Sequence, residues 1–354
     1  MVDRRRAVDG GTAERESPAS RGLTEDEWVA EIRKILGDEA PGVRLGVGDD
    51  AALVQIGDRE AILTTDLLVE GVHFRLDTIS PRDLGYKAVV VNVSDVAAMG
   101  GSPRYGLASV AVPPAIEPGW LVELYGGIRD AATEYATAIV GGDTSRSERI
   151  VLSVAVVGEA VKGRAVTRSG GQPGDRLVVT GALGASAGGL RLAEAEPEVV
   201  RPAIASDWGR ALLAAHVRPQ ARVGEGQTLC ACGATAMIDV SDGLALDLTR
   251  LCRESGVGAV LQLARLPVSP ALAKLAEVIA VEPLDLALAG GEDYELLAAL
   301  PADAVEGAVT QLRERFGTSL TVVGEMRSTE GVVLVEADGS ERSLETLGWD
   351  HFAQ

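Results

Sequence analysis

The stretch LGYKAVVVNVSDVAAM, Leu84 to Met99, decides how the rest of the chain is read. Ser80-Pro81-Arg82-Asp83 before it is a helix start signal, and Gly100-Gly101 with Pro103 beyond it is a stop. Valine and alanine cover nearly every side, which predicts a helix buried all round. Asn92 and Asp95 nonetheless sit three apart on one face, in a stripe continued by Ala88 and Met99. A carboxylate in such surroundings is costly unless a cation meets it. An Arg or Lys from elsewhere would serve, and so would a metal ion. Which of the two applies depends on how often the pattern of acid beside glycine at an apolar boundary recurs.

It recurs several times. Leu45-Gly46-Val47-Gly48-Asp49-Asp50-Ala51 places two adjacent carboxylates inside a glycine turn, where their repulsion needs solvent or a cation. The strand Ala61 to Asp66 ends in Thr64, Thr65 and Asp66. A strand over Thr137 to Val140 runs into the loop Gly141-Gly142-Asp143-Thr144, and another over Thr235 to Ile238 runs into the turn Asp239-Val240-Ser241-Asp242-Gly243. Any one of these acids alone reads as a cap or turn former. Together they read as a set of hard oxygen ligands, which without a Cys/His cluster selects magnesium or calcium over zinc. Carboxylates converging beside glycine turns suggest a nucleoside triphosphate site, yet the chain has neither G-x-x-x-x-G-K-[ST] nor G-x-G-x-x-G. Gly184-Ala185-Ser186-Ala187-Gly188 has the nucleophile-elbow spacing, but no oxyanion-loop motif precedes it.

Length and composition bound the rest. A chain of 354 residues with 46% hydrophobic residues and 42 glycines suits an α/β protein of two domains. The formal net charge of −19 argues against sequence-independent nucleic-acid binding, because such binders neutralise phosphates with Lys and Arg. No apolar run is long enough to span a bilayer and the N-terminus lacks an apolar signal core, so a cytoplasmic location is expected. Cys230, Cys232 and Cys252 are too few for a zinc ribbon and read as inert core thiols. Residues 1–22 read as a disordered tail, 23–159 as a first α/β domain and 160–354 as a second. A capping box at Thr24 and Glu27 opens the first helix.

In order along the chain, Gly48-Asp49-Asp50-Ala51, Thr64-Thr65-Asp66, Glu70-Gly71-Val72-His73-Phe74, Gly85-Tyr86-Lys87-Ala88, Asn92-Val93-Ser94-Asp95, Gly141-Gly142-Asp143-Thr144, Thr167-Arg168-Ser169-Gly170, Asp239-Val240-Ser241-Asp242-Gly243, Gly290-Gly291-Glu292-Asp293-Tyr294 and Trp349-Asp350-His351-Phe352 resemble the thiamine-monophosphate kinase family. The similarity runs from Leu23 to the C-terminus. It implies the PurM-like two-domain α/β (α+β) fold, with a first domain whose mixed sheet pairs across a homodimer interface. It implies ATP and thiamine monophosphate as substrates and several Mg²⁺ ions, with K⁺ a further candidate and no nucleic acid or membrane as partner. Carried over residue by residue, Asp50, Thr64, Thr65, Asp66, Asp95, Asp143, Asp239 and Asp242 are the expected metal ligands. Gly142, Arg168, Ser241 and Tyr125 are the expected ATP contacts, and His73, Glu292 and Trp349 those of the acceptor. No acid or base catalyst is expected, since an acceptor phosphate is already anionic at neutral pH.

Overall fold

The computed structural model describes residues 24–37, 40–160 and 164–344. The expected N-terminal tail and Trp349 therefore lie outside the described residues. The first half runs α1 (Glu25–Leu36), β1 (Val43–Leu45), β2 (Ala52–Ile56), β3 (Arg59–Val69), α2 (Pro81–Ala98), β4 (Gly101–Val112), α3 (Pro118–Glu134), β5 (Ala138–Arg146) and β6 (Val151–Ala160). Its strands form one sheet in the order β1-β2-β3-β6-β4-β5, antiparallel except for the β4/β5 pair. The sheet has one packed face, as the alternation in β6 shows, where Leu152, Val154 and Val156 are each about 1% exposed while the intervening residues are half-buried.

Register then fixes which side chains share a face. Thr64, Val156 and Gly106 form one row, and Asp66, Val154, Ala108 and Gly142 the next, on the side that α2 covers. Thr65, Ala155, Leu107 and Gly141 form a row on the other side, followed by Leu67, Ser153, Ser109 and Asp143. That outer face leaves Leu63, Leu67, Tyr105 and Leu107 exposed.

The second half runs β7 (Arg176–Thr180), α4 (Ala185–Glu194), α5 (Pro197–Ala205), α6 (Asp207–Val217), α7 (Val223–Ala231), β8 (Ala236–Asp239), α8 (Leu244–Ser255), β9 (Gly258–Gln262), α9 (Pro270–Ala276), α10 (Pro283–Ala289), β10 (Leu296–Leu300), α11 (Val305–Phe316), β11 (Leu320–Arg327), β12 (Val332–Val335) and β13 (Glu341–Ser343). The strands form a seven-stranded sheet in the order β13-β12-β9-β11-β7-β10-β8. One face packs on α8 and α10 through Leu177, Val179, Leu244, Leu248 and Leu288. The other packs on α7 and α11 through Val178, Leu229, Leu296, Ala298 and Leu312, and Ala98 of α2 joins that cluster.

Helix α2 therefore belongs to both halves. It touches β3, β4 and β6 of the first sheet and β8 and α7 of the second. Ser80 caps its N-terminus by accepting from the Asp83 N–H, and Pro81 occupies its first turn, as the start signal predicts. Glycine sets its separation from α3: a Cβ on Gly85 would lie 2.0 Å from the Leu124 carbonyl oxygen, and one on Gly127 would lie 1.7 Å from that of Arg82. From Leu84 to Gly100 every residue is buried except Asp95, which is half-exposed.

Three differences from the sequence expectation stand out. Residues 141–146 continue β5 instead of leaving it as a loop, because the strand keeps its parallel pairing with β4 through Val112 and Arg146. Gly142 permits this, since a Cβ there would meet the Ala108 oxygen at 1.7 Å. Helices α5, α6 and α10 have no counterpart in the sequence reading; Pro202 lies inside α5 and obscures its period. Only Cys252 is buried, while Cys230 and Cys232 are half-buried.

The α2/α3 crossing yields a direct test. Gly127→Ala places a methyl group against backbone that cannot rotate away, and the expected loss is about 3 kcal/mol of unfolding free energy. Urea denaturation midpoints of the variant and the native chain measure it.

Candidate active site

Acids from both halves meet beside the one opening in α2. Oxygens of Asp50, Asp95 and Asp239 all lie within 4.8 Å of one another. Asp95 comes from α2, Asp239 from the end of β8, and Asp50 from the glycine turn that precedes β2. The Thr64 hydroxyl on β3 donates to Asp95 Oδ2, and the Ser94 hydroxyl donates to Asp239 Oδ2 at 2.5 Å. Asn92 is a brace: its Oδ1 accepts from the Asp66 N–H at 2.9 Å while its Nδ2 donates to the Ala88 carbonyl at 3.0 Å. The stripe read on the helix face is thus a structural one at Asn92 and an acid cluster at Asp95.

Electrostatics make this cluster unstable by itself. Burial first, then Asp66, Asp239 and Asp50, push the Asp95 carboxyl well above the usual range. Burial, with Asp50 next, does the same to Asp239. Asp66 is raised to about 6 by burial and by Asp242. Asp49 is raised to about 7 by burial and Asp50, against the pull of Arg168.

Two arginines offset part of the charge. Arg168 donates from Nε at 3.1 Å and Nη2 at 2.6 Å to Asp50 Oδ1, and its backbone N–H donates to Asp49 Oδ2 at 3.0 Å. Asp50 Oδ2, buried on the other side of that carboxylate, has no hydrogen-bond partner. Arg250 on α8 pairs with Asp242 through Nη1, which also reaches Asp247 Oδ1 at 3.2 Å, while its Nε reaches Asp26 of α1 at 3.2 Å. Asp247 Oδ2 in turn accepts from the N–H groups of Ser241 and Asp242, both at 3.1 Å, and so shapes the 239–243 turn. Among the described residues no Lys or Arg pairs with Asp95. Three clustered carboxylates, all hard oxygen donors, with one buried oxygen lacking a partner, fit a divalent cation.

The expected residues fall mainly into three places, with Thr65 and His73 apart from them. Asp50, Asp66, Asp95, Asp239, Thr64, Arg168, Asp242 and Ser241 gather at the cluster or its rim. Tyr125, Gly142 and Asp143 instead line a cavity of about 740 Å³ between α3 and β5, at the opposite edge of the first sheet. Asp66 and Gly142 are three strand spacings apart in one row, roughly 14 Å. Thr65 faces the outer side, where its hydroxyl donates to the Val154 carbonyl at 3.1 Å. His73 is half-buried just beyond β3, with Nδ1 accepting from the Val69 N–H at 2.9 Å, which fixes that nitrogen as the unprotonated one.

Glu292 occupies the third place. Its backbone is left-handed at φ 64°, and its N–H donates to the Ser241 carbonyl at 2.7 Å, which ties the Gly290–Tyr294 turn to the 239–243 turn. Its carboxylate meets Lys87 Nζ at 2.7 Å and His216 Nδ1 at 3.2 Å. Burial alone would raise this carboxyl, but Lys87 and then His216 outweigh it and bring it down to about 2.

Comparisons with known proteins identify the family. The family descriptions "AIR synthase related protein, N-terminal domain" and "AIR synthase related protein, C-terminal domain" match residues 48–160 and 172–336. Thiamine-monophosphate kinase of Escherichia coli O157:H7 is 38% identical over 313 residues, 88% of this chain and 93% of that protein. The chain belongs to the thiamine-monophosphate kinase family. The Bacillus subtilis thiamine-monophosphate kinase is 37% identical over 88% of the chain and 94% of its own length. A solved thiamine-monophosphate kinase structure, AaThiL complexed with AMPPCP and TMP, superposes with a TM-score of 0.79 at 36% identity, covering 93% of this chain and 97% of that one. Among the described residues no helix is long and apolar enough to cross a membrane.

Some residues of this kinase-family site gave no sequence signal of their own. Arg250 and Asp247 lie on α8, three apart, where they read as an ordinary helical ion pair. Lys87 lies in a buried helix within a recognised motif, but its partner is more than 200 residues away. Ser186 of the apparent nucleophile elbow is buried, with Oγ 3.2 Å from His216 Nδ1, the same nitrogen that faces Glu292. A triad needs the two partners on different ring nitrogens, so the elbow motif is structural.

The raised carboxyls set a pH dependence. Asp66 at about 6 and Asp49 and Asp247 at about 7 all stand above the ordinary 3.8. The folded protein therefore holds more protons than the unfolded chain between roughly pH 4 and 7, and stability falls as pH rises through that window. In chelator, the melting temperature is expected to drop from about pH 5 to about pH 8. Added Mg²⁺ should restore more of it at the higher pH, because protons compete with the ion at the lower. Calorimetric scans across that range check both trends, and a rise in chelator would contradict the assignment.

Proposed function

We propose that this chain transfers the γ-phosphoryl group of ATP to the phosphate of thiamine monophosphate, giving thiamine diphosphate and ADP. The observation that carries this most strongly is the cluster of Asp50, Asp95 and Asp239, placed at the one position between Leu84 and Gly100 that is not buried. Membership in the kinase family and the likeness to AaThiL with AMPPCP and TMP bound support the same substrates. Two separate sheets and two family matches support a two-domain chain dividing near residue 160.

Asp50, Thr64, Asp66, Asp95, Asp143, Asp239 and Asp242 would hold several Mg²⁺ ions, with K⁺ a further candidate, while the Thr65 hydroxyl faces away from them. Bound Mg²⁺ supplies neutralisation and alignment of the two polyanions that must meet. The protein's own residues do the rest. Arg168 has two of its guanidinium nitrogens on Asp50 and retains Nη1 for a phosphate oxygen among the described residues. Ser241 presents its side chain from a turn that Asp247 holds open. The cavity beside Tyr125 and Gly142 has room for a nucleoside. His73 and Glu292 face the acceptor, and Trp349 would stack on the thiazolium, a cation–π contact worth about 0.5 to 2 kcal/mol. No side chain has to remove a proton, because the attacking phosphate oxygen is already ionised.

One protomer does not close this set of residues, since Asp143 lies on β5, some three strands from Asp66. A homodimer over the outer face, where Leu67, Tyr105 and Leu107 are about half exposed, covers apolar surface and brings a second Asp143 strand near the first cluster. ATP as phosphoryl donor and three free cysteines fit a cytoplasmic setting.

The deciding assay follows ADP release and thiamine diphosphate together. Both are expected in equal amounts and only with Mg²⁺ and thiamine monophosphate present; ADP release indifferent to the acceptor would overturn the substrate assignment. Asp95→Asn should abolish turnover with the melting temperature retained, and near-normal turnover would remove Asp95 from the metal site. Co-expression of Asp95→Asn with Asp143→Asn chains should regain activity that neither has alone if the site is shared between protomers.

A further inference from the structure

The strongest unassigned feature is a buried polar chain that begins on α2 and ends at Glu292. Lys87 is the only lysine in the Leu84–Met99 stretch, and it is buried with 1% of its surface exposed. An ammonium group that deep persists only with a partner, and Glu292 Oε1 at 2.7 Å is that partner. On the other oxygen, His216 Nδ1 stands at 3.2 Å. A carboxylate can only accept, so Nδ1 carries the hydrogen, and Ser186 Oγ at 3.2 Å lies beside the same nitrogen.

The backbone is equally constrained. Glu292 and Tyr294 both adopt left-handed conformations, at φ 64° and 52°, which non-glycine residues enter only when surrounding contacts hold them there. The N–H groups of Glu292 and Tyr294 donate to the Ser241 and Val240 carbonyls at 2.7 and 2.9 Å. Asp293 between them turns the other way and accepts from the Gly184 N–H at 2.6 Å and the Ser186 N–H at 3.3 Å at the start of α4. Helices α2 and α6 thus hold the Glu292 carboxylate itself, while α4, through Asp293, and the 239–243 turn hold its backbone, and the side chain keeps 27% of its surface exposed.

We propose that Lys87 and His216 are positioning residues that act through Glu292, holding its carboxylate as a directional hydrogen-bond acceptor for an N–H donor on the acceptor substrate. The proposal rests on the assignment of Glu292 to the acceptor site made above. It also separates two roles that a glutamate there could play. A carboxylate already matched by an ammonium at 2.7 Å has little net charge to offer a distant cation such as a thiazolium. What it retains is lone pairs in fixed directions, which suit the exocyclic amine of an aminopyrimidine. Specificity built on a buried acceptor rejects ligands that lack the donor, because the acceptor is then left unpaired.

The experiment is a double-mutant cycle on the full-length protein with Mg²⁺ and ATP, using Lys87→Met, Glu292→Gln and the pair together. The pair leaves no unmatched buried charge. Glu292→Gln is expected to raise the KM for thiamine monophosphate about tenfold or more, the usual cost of losing a charge-assisted hydrogen bond. Lys87→Met should raise that KM by a comparable factor with the KM for ATP little changed, and should add almost nothing once Glu292 is already Gln. A phosphorylated thiamine analogue carrying an oxo group in place of the amine should be a poor acceptor for the native chain and should lose that handicap in Glu292→Gln.

Each other result is decisive. If Glu292→Gln leaves the KM for the acceptor unchanged, Glu292 is not a substrate contact and the proposal falls with it. If Glu292→Gln raises that KM but Lys87→Met does not, or raises it equally in both backgrounds, Glu292 stands and the positioning role is overturned. A Lys87→Met effect on both KM values and the melting temperature alike marks a purely structural lysine. Should Lys87→Met fail to fold, His216→Ala takes its place in the same cycle with the same expectations.

Discussion

Like charges held within 4.8 Å repel, and Asp50, Asp95 and Asp239 are held at that separation by elements drawn from both halves of the chain. Hydrogen bonds from Thr64, Ser94 and Arg168 offset only part of that repulsion. The arrangement persists because α2 is packed against both sheets at once, so its one open position cannot withdraw from the other two carboxylates without unpacking a helix buried along its length. The glycines at α2/α3 and Gly226, whose Cβ would meet the Ala97 oxygen at 2.1 Å, serve the same end by letting neighbouring backbones come close. Stability spent on apolar packing is what keeps the acids together.

The arginines show how that repulsion is moderated without being removed. Arg168 satisfies one oxygen of Asp50 and leaves the other without a partner, and Arg250 divides its donors among Asp26, Asp242 and Asp247. Neither reaches Asp95 or Asp239. The compensation is therefore partial: it reaches Asp50 and the rim acids, while no arginine bonds Asp95 or Asp239 among the described residues. Arg250 also ties α1, through Asp26, to the helix that follows the Asp239–Gly243 turn, so an N-terminal helix with no buried residue of its own is anchored by charge.

Much of this was legible in the sequence, and the reasons for the rest are physical. Acids at strand ends and beside glycines announced a carboxylate cluster because each breaks an apolar run where burial makes a charge costly. The helix from Pro81 was legible because cap, proline and stop signal are all local. Local pattern could not separate Thr65 from Thr64: adjacent strand residues point to opposite faces, and which face meets α2 is a tertiary fact. Asp143 looked like a loop residue because two glycines precede it, whereas those glycines admit a close strand pairing. Lys87 and His216 were silent because their meaning lies in a partner on the far side of the chain. Residues 197–217 hid α5 and α6 behind an interior proline and a run of small side chains.

One geometric consequence follows from having Lys87 and Asp95 on the same helix. They are eight residues apart, so the points they fix are separated by about 12 Å of axial rise. One end addresses Glu292 and the other addresses the acid cluster. A helix packed along most of its length against both sheets keeps that separation, because its rise per residue is set by backbone hydrogen bonds. On the roles proposed above, helix α2 is a ruler, with acceptor recognition marked at one end and phosphate chemistry at the other. A molecule with the right head group but the wrong span cannot reach both marks, however well either end binds.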